Sequence, residues 1–435
     1  MEGKEATQAS QFLRRALQLA WKGRGAVSPN PLVGAVLVKN GRIIGEGLHR
    51  NYGGKHAEAW AIEDALKKGH SIEGADLYCT LEPCCFTGPE KHQPPCTDLI
   101  LRNRIARVFV CTVDPNPRVR GRGIQILQDA GVEVTVGILA SEALALNEGF
   151  FTYQIMKRPF VHLKIAQSID GRIAALEGDS RWITDEKARR MVHRLRATYD
   201  AVLVGKNTVQ LDDPELTVRL VKGRNPYRVV LDTHLELPLS SKVFRTKDPE
   251  RTILITTTQS VSLERSSIEK DPLEAKRKAL EDLGVRVLSV PPSPTRPSLS
   301  VVLHRLGDLG IRSVLVEGGA SLFTSFLREN LFDRISFFIA PMVIGKGIEG
   351  IGDLGIRRIA DHLRFDRMSF HRVGNQIMLD GYRSGFYEEL YQMATLPLLA
   401  NSKPIIANPF PPSSGKTPET SFTNGRNLLP LGLGR

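Results

Sequence analysis

Cysteine is scarce in this chain of 435 residues: there are five, an odd number. So few thiols argue against a disulfide scaffold and point to a reducing compartment, where cysteine serves metals or catalysis. Aromatic residues are also scarce, at 6%, and they are not interleaved with the basic residues. Stacking platforms for single-stranded nucleic acid need that interleaving. No apolar run approaches the roughly 20 residues of a membrane span. The opening Met1-Glu2-Gly3-Lys4-Glu5 is polar with no apolar stretch behind it, so no secretory signal is expected. There is no internal repeat, and no G-x-G-x-x-G fingerprint to imply a Rossmann domain. These absences predict a soluble, cytoplasmic protein with neither a membrane nor a nucleic-acid partner.

What is present is size and positive charge. At 435 residues the chain is too long for one typical core, and two domains are expected. A hydrophobic content of 41% suits a soluble globular protein. The net charge of +12 favours anionic partners, but the basic residues are scattered rather than clustered. A phosphorylated metabolite plus a dinucleotide fits that distribution better than nucleic acid does.

The most informative feature is a split set of metal-ligand residues: His56-Ala57-Glu58, then Pro83-Cys84, then Cys96. One imidazole and two thiolates can hold zinc in a tetrahedron with one position open, as catalytic rather than structural sites do. His-x-Glu followed by Pro-Cys and a second cysteine is the pattern of zinc deaminases, in which the glutamate moves protons and is not a ligand. Zinc lowers the pKa of bound water to about 7, and a neighbouring carboxylate can shuttle the protons that release ammonia. The plain alternative is a packed histidine with buried thiols acting as small hydrophobes. It must explain why His-x-Glu opens an apparent helix while Pro-Cys follows an apparent strand. Cys79 and Cys111 sit in strand-like runs and are expected in the core. Cys85, beside a proposed ligand, stays ambiguous.

Periodicity predicts a helix over Gln8–Lys22, a hairpin from Leu32–Val38 through Asn40-Gly41 to Ile43-Ile44, a helix over 57–68 and a strand over 77–81. A strand over Arg107–Val113, a helix over Gly123–Ala130 and a strand over Val132–Val136 follow, implying a mostly parallel sheet between helices. A second unit starts near Pro159. Strands are predicted at Phe160–Ala166, Ala201–Val204, Tyr227–Leu231, Thr252–Ile255, Ser313–Val316 and Ile335–Ala340. Helices are predicted at Asp185–Ala197 (capped near Thr184), Leu299–Leu306 and Ala320–Asn330, with a final hairpin over Phe370–Tyr382. Thr256–Ser300 mixes a charged helical stretch with Pro/Ser-rich loop. Gly318-Gly319, between a strand and a helix, offers backbone N–H groups to a phosphate, although such a pair is often only a tight turn. From about Ser384 the periodicity ends, and residues 384–435 are expected to form a largely disordered tail with one short helix around Glu388.

Several motifs occur in order along residues 8–383. They are Asn30-Pro31-Leu32-Val33-Gly34, His56-Ala57-Glu58, Thr80-Leu81-Glu82-Pro83-Cys84, Pro94-Pro95-Cys96 and Asp114-Pro115-Asn116-Pro117, with Gly121-Arg122-Gly123 after it. In the second half they are Lys164 to Arg172 (KIAQSIDGR), Ser180-Arg181-Trp182-Ile183-Thr184, Asp212-Asp213-Pro214, Leu216 to Arg219 (LTVR) and Val316-Glu317-Gly318-Gly319. In this order they resemble the bifunctional riboflavin-biosynthesis deaminase–reductases. The resemblance implies an α/β protein with a cytidine-deaminase-like three-layer domain over 1–150 and a dihydrofolate-reductase-like domain over 151–383. It implies zinc-dependent loss of the 2-amino group of 2,5-diamino-6-(5-phosphoribosylamino)pyrimidin-4-one, then reduction of its ribosyl group to ribityl by NADPH. By the same resemblance Glu58 is catalytic, and His56, Cys84 and Cys96 hold zinc. Asn30, Ser180, Arg196, Leu216, Arg219 and Glu317 contact substrate, the two arginines holding its phosphate. Ala166, Trp182, Thr208, Asp212, Thr233 and Gly319 contact NADPH, with Trp182 beside the nicotinamide. A homo-oligomer through the reductase domain is also implied.

The chain departs from the family's Cys-Ser-His-x-Gly, having Cys84-Cys85-Phe86-Thr87-Gly88 and a longer loop through Pro89-Glu90-Lys91-His92-Gln93. A few extra loop residues add only tenths of a kcal/mol of closure entropy, so metal binding survives the change. His92 is a candidate replacement for the missing histidine, although a surface role is the plainer one. Two other readings stay open: a nucleoside or nucleic-acid zinc deaminase with an added binding domain, and a reductase carrying a degenerate first domain.

Overall fold

The computed structural model describes residues 3–88, 93–257 and 272–395. They form two compact units: residues up to Phe151 together with those from Tyr387 on, and Thr152–Phe386.

The first unit runs α1 (Gly3–Trp21), β1 (Gly34–Lys39), β2 (Arg42–Leu48), α2 (Ala57–Lys67), β3 (Asp76–Cys79), α3 (Cys96–Arg102), β4 (Arg107–Val110), α4 (Arg122–Asp129), β5 (Glu133–Val136) and α5 (Ala140–Leu146), with α6 (Glu148–Met156) closing it. The five strands lie in the order β2-β1-β3-β4-β5. Asn40 and Gly41 both take positive φ, 52° and 73°, as a tight two-residue hairpin turn requires. The sheet is mixed, not mostly parallel: β1 pairs antiparallel with both β2 and β3, while β3, β4 and β5 pair in parallel. The reason is the hairpin. It reverses β2, and α2 then carries the chain past β1, so β3 runs parallel to β2 and opposite to β1.

Alternation along β1 separates two cores. Ala35 and Leu37 face α2 and α3 with Ala61, Ala65 and Ile100. Val36 and Val38 face α1 with Leu13, Ala16 and Leu17. Gly47 lets α2 approach closely, since a Cβ there would sit 2.0 Å from the Ala57 carbonyl oxygen. That contact fixes the start of α2, where His56 and Glu58 lie.

The second unit comprises β6 (Phe160–Ser168), β7 (Arg172–Ala175), α7 (Glu186–Thr198), β8 (Ala201–Gly205), α8 (Lys206–Asp212), β9 (Tyr227–Leu231), β10 (Thr252–Thr257) and α9 (Pro272–Asp282). It continues with β11 (Arg286–Val290), α10 (Leu299–Asp308), β12 (Ser313–Gly318), α11 (Ala320–Arg328), β13 (Arg334–Ala340), β14 (Gly347–Glu349), β15 (Phe365–Val373) and β16 (Gln376–Arg383). The sheet order is β11-β10-β9-β8-β12-β6-β13-β16-β15. It is parallel from β11 to β13, and β16 and β15 add an antiparallel edge. The inner parallel strands β8, β9, β10 and β12 are buried on both faces and read as continuous apolar runs, which is why they are legible in the sequence.

The sequence did not reveal β11, the small β7–β14 pair, or α3, α5, α6 and α8, all of which are short. The cap of α7 is Asp185, whose carboxylate accepts from the Ala188 N–H at 2.9 Å, not Thr184. Helix α12 (Phe386–Thr395) contains Glu388 and buries Phe386, Tyr387 and Leu390. The rest of the expected tail, and His92, lie outside the described residues.

A buried polar network ties β6, β13 and β16. Arg334 holds Asp380 bidentately, and Ser336 donates to Asp380. Ser336 must then accept from His162 Nε2 (2.6 Å), which leaves His162 Nδ1 to accept from the Tyr199 hydroxyl (2.7 Å). Burial holds His162 down at a pKa of about 3, so it is neutral.

Candidate active sites

In the first unit the three candidate ligands converge. His56 precedes α2 as its N-cap, Cys84 follows β3, and Cys96 opens α3. Both sulfurs lie 3.4 Å from His56 Nδ1, and all three ligand atoms fall within 4.8 Å of one another. Ligands sharing a tetrahedral zinc stand about 3.6 Å apart for one sulfur and one nitrogen, from the usual bond lengths. The donor set and spacing therefore fit zinc bound through Nδ1. The Cys96 amide also points at Cys84 Sγ (3.4 Å), favouring thiolate there. Cys79 and Cys111 are fully buried core residues. Cys85 is half-buried, directs its thiol to the Arg118 carbonyl at 3.9 Å and is not in the cluster.

Glu58 lies in the first turn of α2, at the same corner, and is only 3% exposed. Its Oε2 has no hydrogen-bond partner, and burial pushes its carboxyl above the ordinary range. A desolvated carboxyl beside a metal cluster is suited to taking up and releasing protons.

A cavity of about 300 Å³ opens onto this corner, lined by Asn30, His49, His56, Glu58 and Cys84 among others. Asn30 is where the sequence placed a substrate contact. Its Nδ2 meets His49 Nε2 at 3.2 Å, and His49 Nδ1 meets the Lys55 carbonyl at 3.0 Å. His49 thus donates from Nδ1 and accepts from the amide, which orients Asn30. Burial depresses the His49 pKa, in keeping with a neutral ring.

Sequence reasoning missed His49, Glu82 and Asp114. Glu82 is buried and accepts from the amides of Asp114 (3.1 Å), Gly121 (2.9 Å), Gly123 (2.9 Å) and Ile124 (3.3 Å). It welds the segment carrying Cys84 to the segment 114–124. Burial raises its carboxyl to about 7 against the pull of those four amides. Asp114, also lining the cavity, is raised by burial to about 8. The available signal was acidic residues inside otherwise apolar, strand-ending motifs.

In the second unit the candidates gather at the carboxyl ends of the parallel strands, where open α/β sheets bind ligands. Ala166 lies near the end of β6, Thr208 and Asp212 lie on α8 after β8, and Thr233 follows β9. Glu317 lies near the end of β12, and Gly319 directly follows that strand. Gly319 takes φ 75° and caps α11. A Cβ on Gly318 would meet Thr208 Oγ1 at 3.1 Å, so bare backbone borders this helix start as a phosphate cradle needs. Ser180 donates to Asp212 (3.2 Å), and the Thr233 carbonyl accepts from Thr256 (2.8 Å) and Thr257 (3.2 Å). Trp182 is 68% exposed, with the Arg189 guanidinium 4.3 Å over its ring. These features fit a dinucleotide.

Arg196 forks onto Glu317 at 2.6 and 2.7 Å and donates to the Thr217 carbonyl at 3.2 Å. Burial pushes Glu317 upward, but Arg196 outweighs it and holds the carboxyl below its usual range. Lys164, on β6, is lowered by burial, with Glu317 opposing. It was quoted in a motif but given no role; a lysine inside an apolar strand was the signal. Arg219 is the more open arginine, half-exposed and paired to Glu215 at 2.7 Å, and its backbone N–H donates to His193 Nδ1. Leu216 is buried at φ 55°.

The metal corner and cavity of the first unit, with the strand-end cluster of the second, define a two-domain enzyme: a zinc-type hydrolytic deaminase joined to a reductase. Comparison with known proteins agrees. Residues 6–112 match the cytidine and deoxycytidylate deaminase zinc-binding region, and residues 159–379 match the RibD C-terminal domain. The chain is 44% identical over 369 residues to riboflavin biosynthesis protein RibD of Aquifex aeolicus, covering 85% of this chain and 96% of that one. It is 36% identical over 386 residues to RibD of Escherichia coli, covering 86% and 98%. A diaminohydroxyphosphoribosylaminopyrimidine deaminase/5-amino-6-(5-phosphoribosylamino)uracil reductase from Thermotoga maritima superposes with a TM-score of 0.74 at 40% identity, over 87% of this chain and 99% of that one. The chain belongs to the bifunctional RibD family of riboflavin biosynthesis, deaminase and reductase in one polypeptide. No helix among the described residues is long and apolar enough to cross a membrane.

Proposed function

We propose that the first domain, residues 1–150, removes the 2-amino group of 2,5-diamino-6-(5-phosphoribosylamino)pyrimidin-4-one, and that the second, residues 151–383, reduces the ribosyl group of the product to ribityl. The convergence of His56, Cys84 and Cys96 beside buried Glu58 carries this reading. Zinc held by those three residues would supply hydroxide at neutral pH. Glu58 takes a proton from the attacking water and gives it to the ring nitrogen, then takes the second proton from the added hydroxyl and passes it to the departing amine as the carbonyl forms. Asn30, oriented by His49, fixes the pyrimidine edge, and the cavity walls exclude bulk water.

In the second domain NADPH would supply a hydride to the sugar carbon C1′, as the bond from C1′ to the ring oxygen breaks and that oxygen takes up a proton. Gly319 and Thr208 would hold its phosphates, Ala166, Asp212 and Thr233 would contact the rest of it, and Trp182 would pack beside the nicotinamide. Ser180 reaches substrate from its bond to Asp212, and Leu216 shapes the wall. Arg219 meets the substrate phosphate with a planar fork. Arg196, committed to Glu317, keeps that carboxylate ionised and aimed beside the substrate. Self-association through the reductase domain and a cytoplasmic location belong to the same proposal.

The longer Cys84–Cys96 loop leaves both sulfurs within reach of one ion, which disfavours a degenerate first domain. The test is zinc content, ammonia release and NADPH oxidation on the purified protein with the diaminopyrimidine substrate. About one zinc per chain with both signals supports the reading. NADPH oxidation only on pre-deaminated substrate, without zinc, refutes the deaminase half.

A further inference from the structure

Helix α7 grips the loop that carries Arg219. Residues 217, 218 and 219 are each tied down by a side chain. Arg196 donates to the Thr217 carbonyl at 3.2 Å, Asn225 Oδ1 accepts from the Val218 N–H at 2.9 Å, and His193 Nδ1 accepts from the Arg219 N–H at 3.0 Å. His193 and Arg196 stand one turn apart on α7 and so share a face. The loop is pressed against that helix, since a Cβ on Gly223 would lie 2.5 Å from the Ala197 Cβ. Leu216, just before the tied residues, is buried at φ 55°, a left-handed conformation that leucine seldom adopts. Such a conformation persists where its surroundings hold it.

The bond to Arg219 defines the state of the His193 ring. Nδ1 accepts, so the proton of the neutral ring sits on Nε2. Burial, with Arg196 and then Arg219 nearby, holds the His193 pKa down at about 4 against the pull of Glu317. Nδ1 is therefore an acceptor at neutral pH. The Arg219 guanidinium is tethered more loosely: Nη1 meets Glu215 at 2.7 Å, and both side chains are about half-exposed. An exposed pair of that kind contributes little and exchanges readily for a phosphate. The place of Arg219 is thus set by its backbone, and the tie on its N–H is His193.

We propose that His193 is a positioning residue of the reductase site: through the Arg219 N–H it places that arginine for the substrate's phosphate, and so sets the preference of the site for phosphorylated over unphosphorylated substrate. This rests on the role of Arg219 proposed above.

The experiment measures NADPH oxidation by the full-length protein on the deaminated 5′-phosphate substrate and on its dephosphorylated riboside. It compares wild type with His193→Leu, His193→Asn, Arg219→Ala and the double variant His193→Leu/Arg219→Ala, with NADPH affinity read by fluorescence in each. Arg219→Ala raises KM for the phosphate form roughly 10- to 100-fold, the loss of charge-assisted hydrogen bonds. His193→Leu, similar in size but without an acceptor, raises it about tenfold, with kcat changed less than about threefold. KM for the riboside moves little, so the preference falls. His193→Asn, whose Oδ1 can take the place of Nδ1, restores the wild-type KM. The double variant is no worse than Arg219→Ala alone, because one effect acts through the other.

Additive effects in the double variant, equal losses on both substrates, or weakened NADPH affinity in both histidine variants would make His193 a support for the fold and overturn the inference. So would an unchanged KM in His193→Leu while Arg219→Ala raises it. An unchanged KM in Arg219→Ala overturns the reading of Arg219 on which the inference rests. Oxidation on neither substrate by wild type sinks the reductase reading as well.

Discussion

Replacing Glu58 by glutamine should separate catalysis from stability in opposite directions. The side chain keeps its shape and loses its charge and its proton-carrying role. General acid–base groups contribute about 10²- to 10⁴-fold. Glu58 is asked to serve the water, the ring nitrogen and the leaving amine in turn, so the loss belongs at the upper end. A thousandfold fall in ammonia release corresponds to about 4 kcal/mol of barrier. Stability should move the other way. The carboxyl is buried, its Oε2 has no partner, and burial raises its pKa. An acid whose folded pKa lies above its unfolded value costs stability once pH exceeds the unfolded value, because the unfolded chain ionises first. A neutral amide avoids the ionisation part of that penalty, about 1.4 kcal/mol for each unit by which the folded pKa exceeds the unfolded one. One kcal/mol corresponds to roughly 2–4 °C for a unit of this size. The assay pairs ammonia release by the zinc-loaded protein with thermal melting of the zinc-free protein at pH 7.5. A fall in rate below tenfold, or a melting temperature lowered by the substitution, would refute the reasoning.

Cys96→Ser should lower zinc stoichiometry well below one per chain, whereas Cys85→Ser should leave it unchanged; the reverse would mean that the wrong thiol is assigned. Glu82→Ala strips four amides of their acceptor and should destabilise the first unit by about 3 kcal/mol or more. Chemical denaturation reads this directly, and a change under 1 kcal/mol would contradict the welding role. His162 has a folded pKa of about 3, below its unfolded value, so its contribution is complete above pH 6.5 and is lost as pH falls toward 3. The loss approaches about 1.4 kcal/mol per pH unit, and His162→Gln should remove that slope from the acid limb of the stability curve. An unchanged slope in the variant would assign the acid sensitivity elsewhere.

Much of both sites was legible because their chemistry restricts residue type. Zinc deamination needs imidazole, thiolate and carboxylate, and few residues can replace them, so His56, Glu58, Cys84 and Cys96 stood out at their spacing. Parallel strands buried on both faces gave unbroken apolar runs, so β8, β9 and β12 were found within a residue or two. The short helices α3, α5 and α8 were missed because one or two turns carry too little periodicity to register. Glu82, Asp114 and Lys164 were hidden for a different reason: each is an ionisable residue whose role depends on neighbours distant in sequence. Glu82 takes three of its four amides from 39 to 42 residues away.

The sequence by itself determined the class of chemistry, the two-domain plan and the identity of the metal donors, because ligand type and hydrophobic period are local properties. Tertiary structure decided the rest. It made the first sheet mixed, since the direction of β3 follows from the path of α2 across β1. It turned Arg196 toward Glu317 and left Arg219 open, because burial and pairing belong to places in the fold and not to residue types. It also set Arg118 against Phe86 at the rim of the deaminase cavity, two residues 32 positions apart whose meeting depends on the loop that Glu82 holds in place.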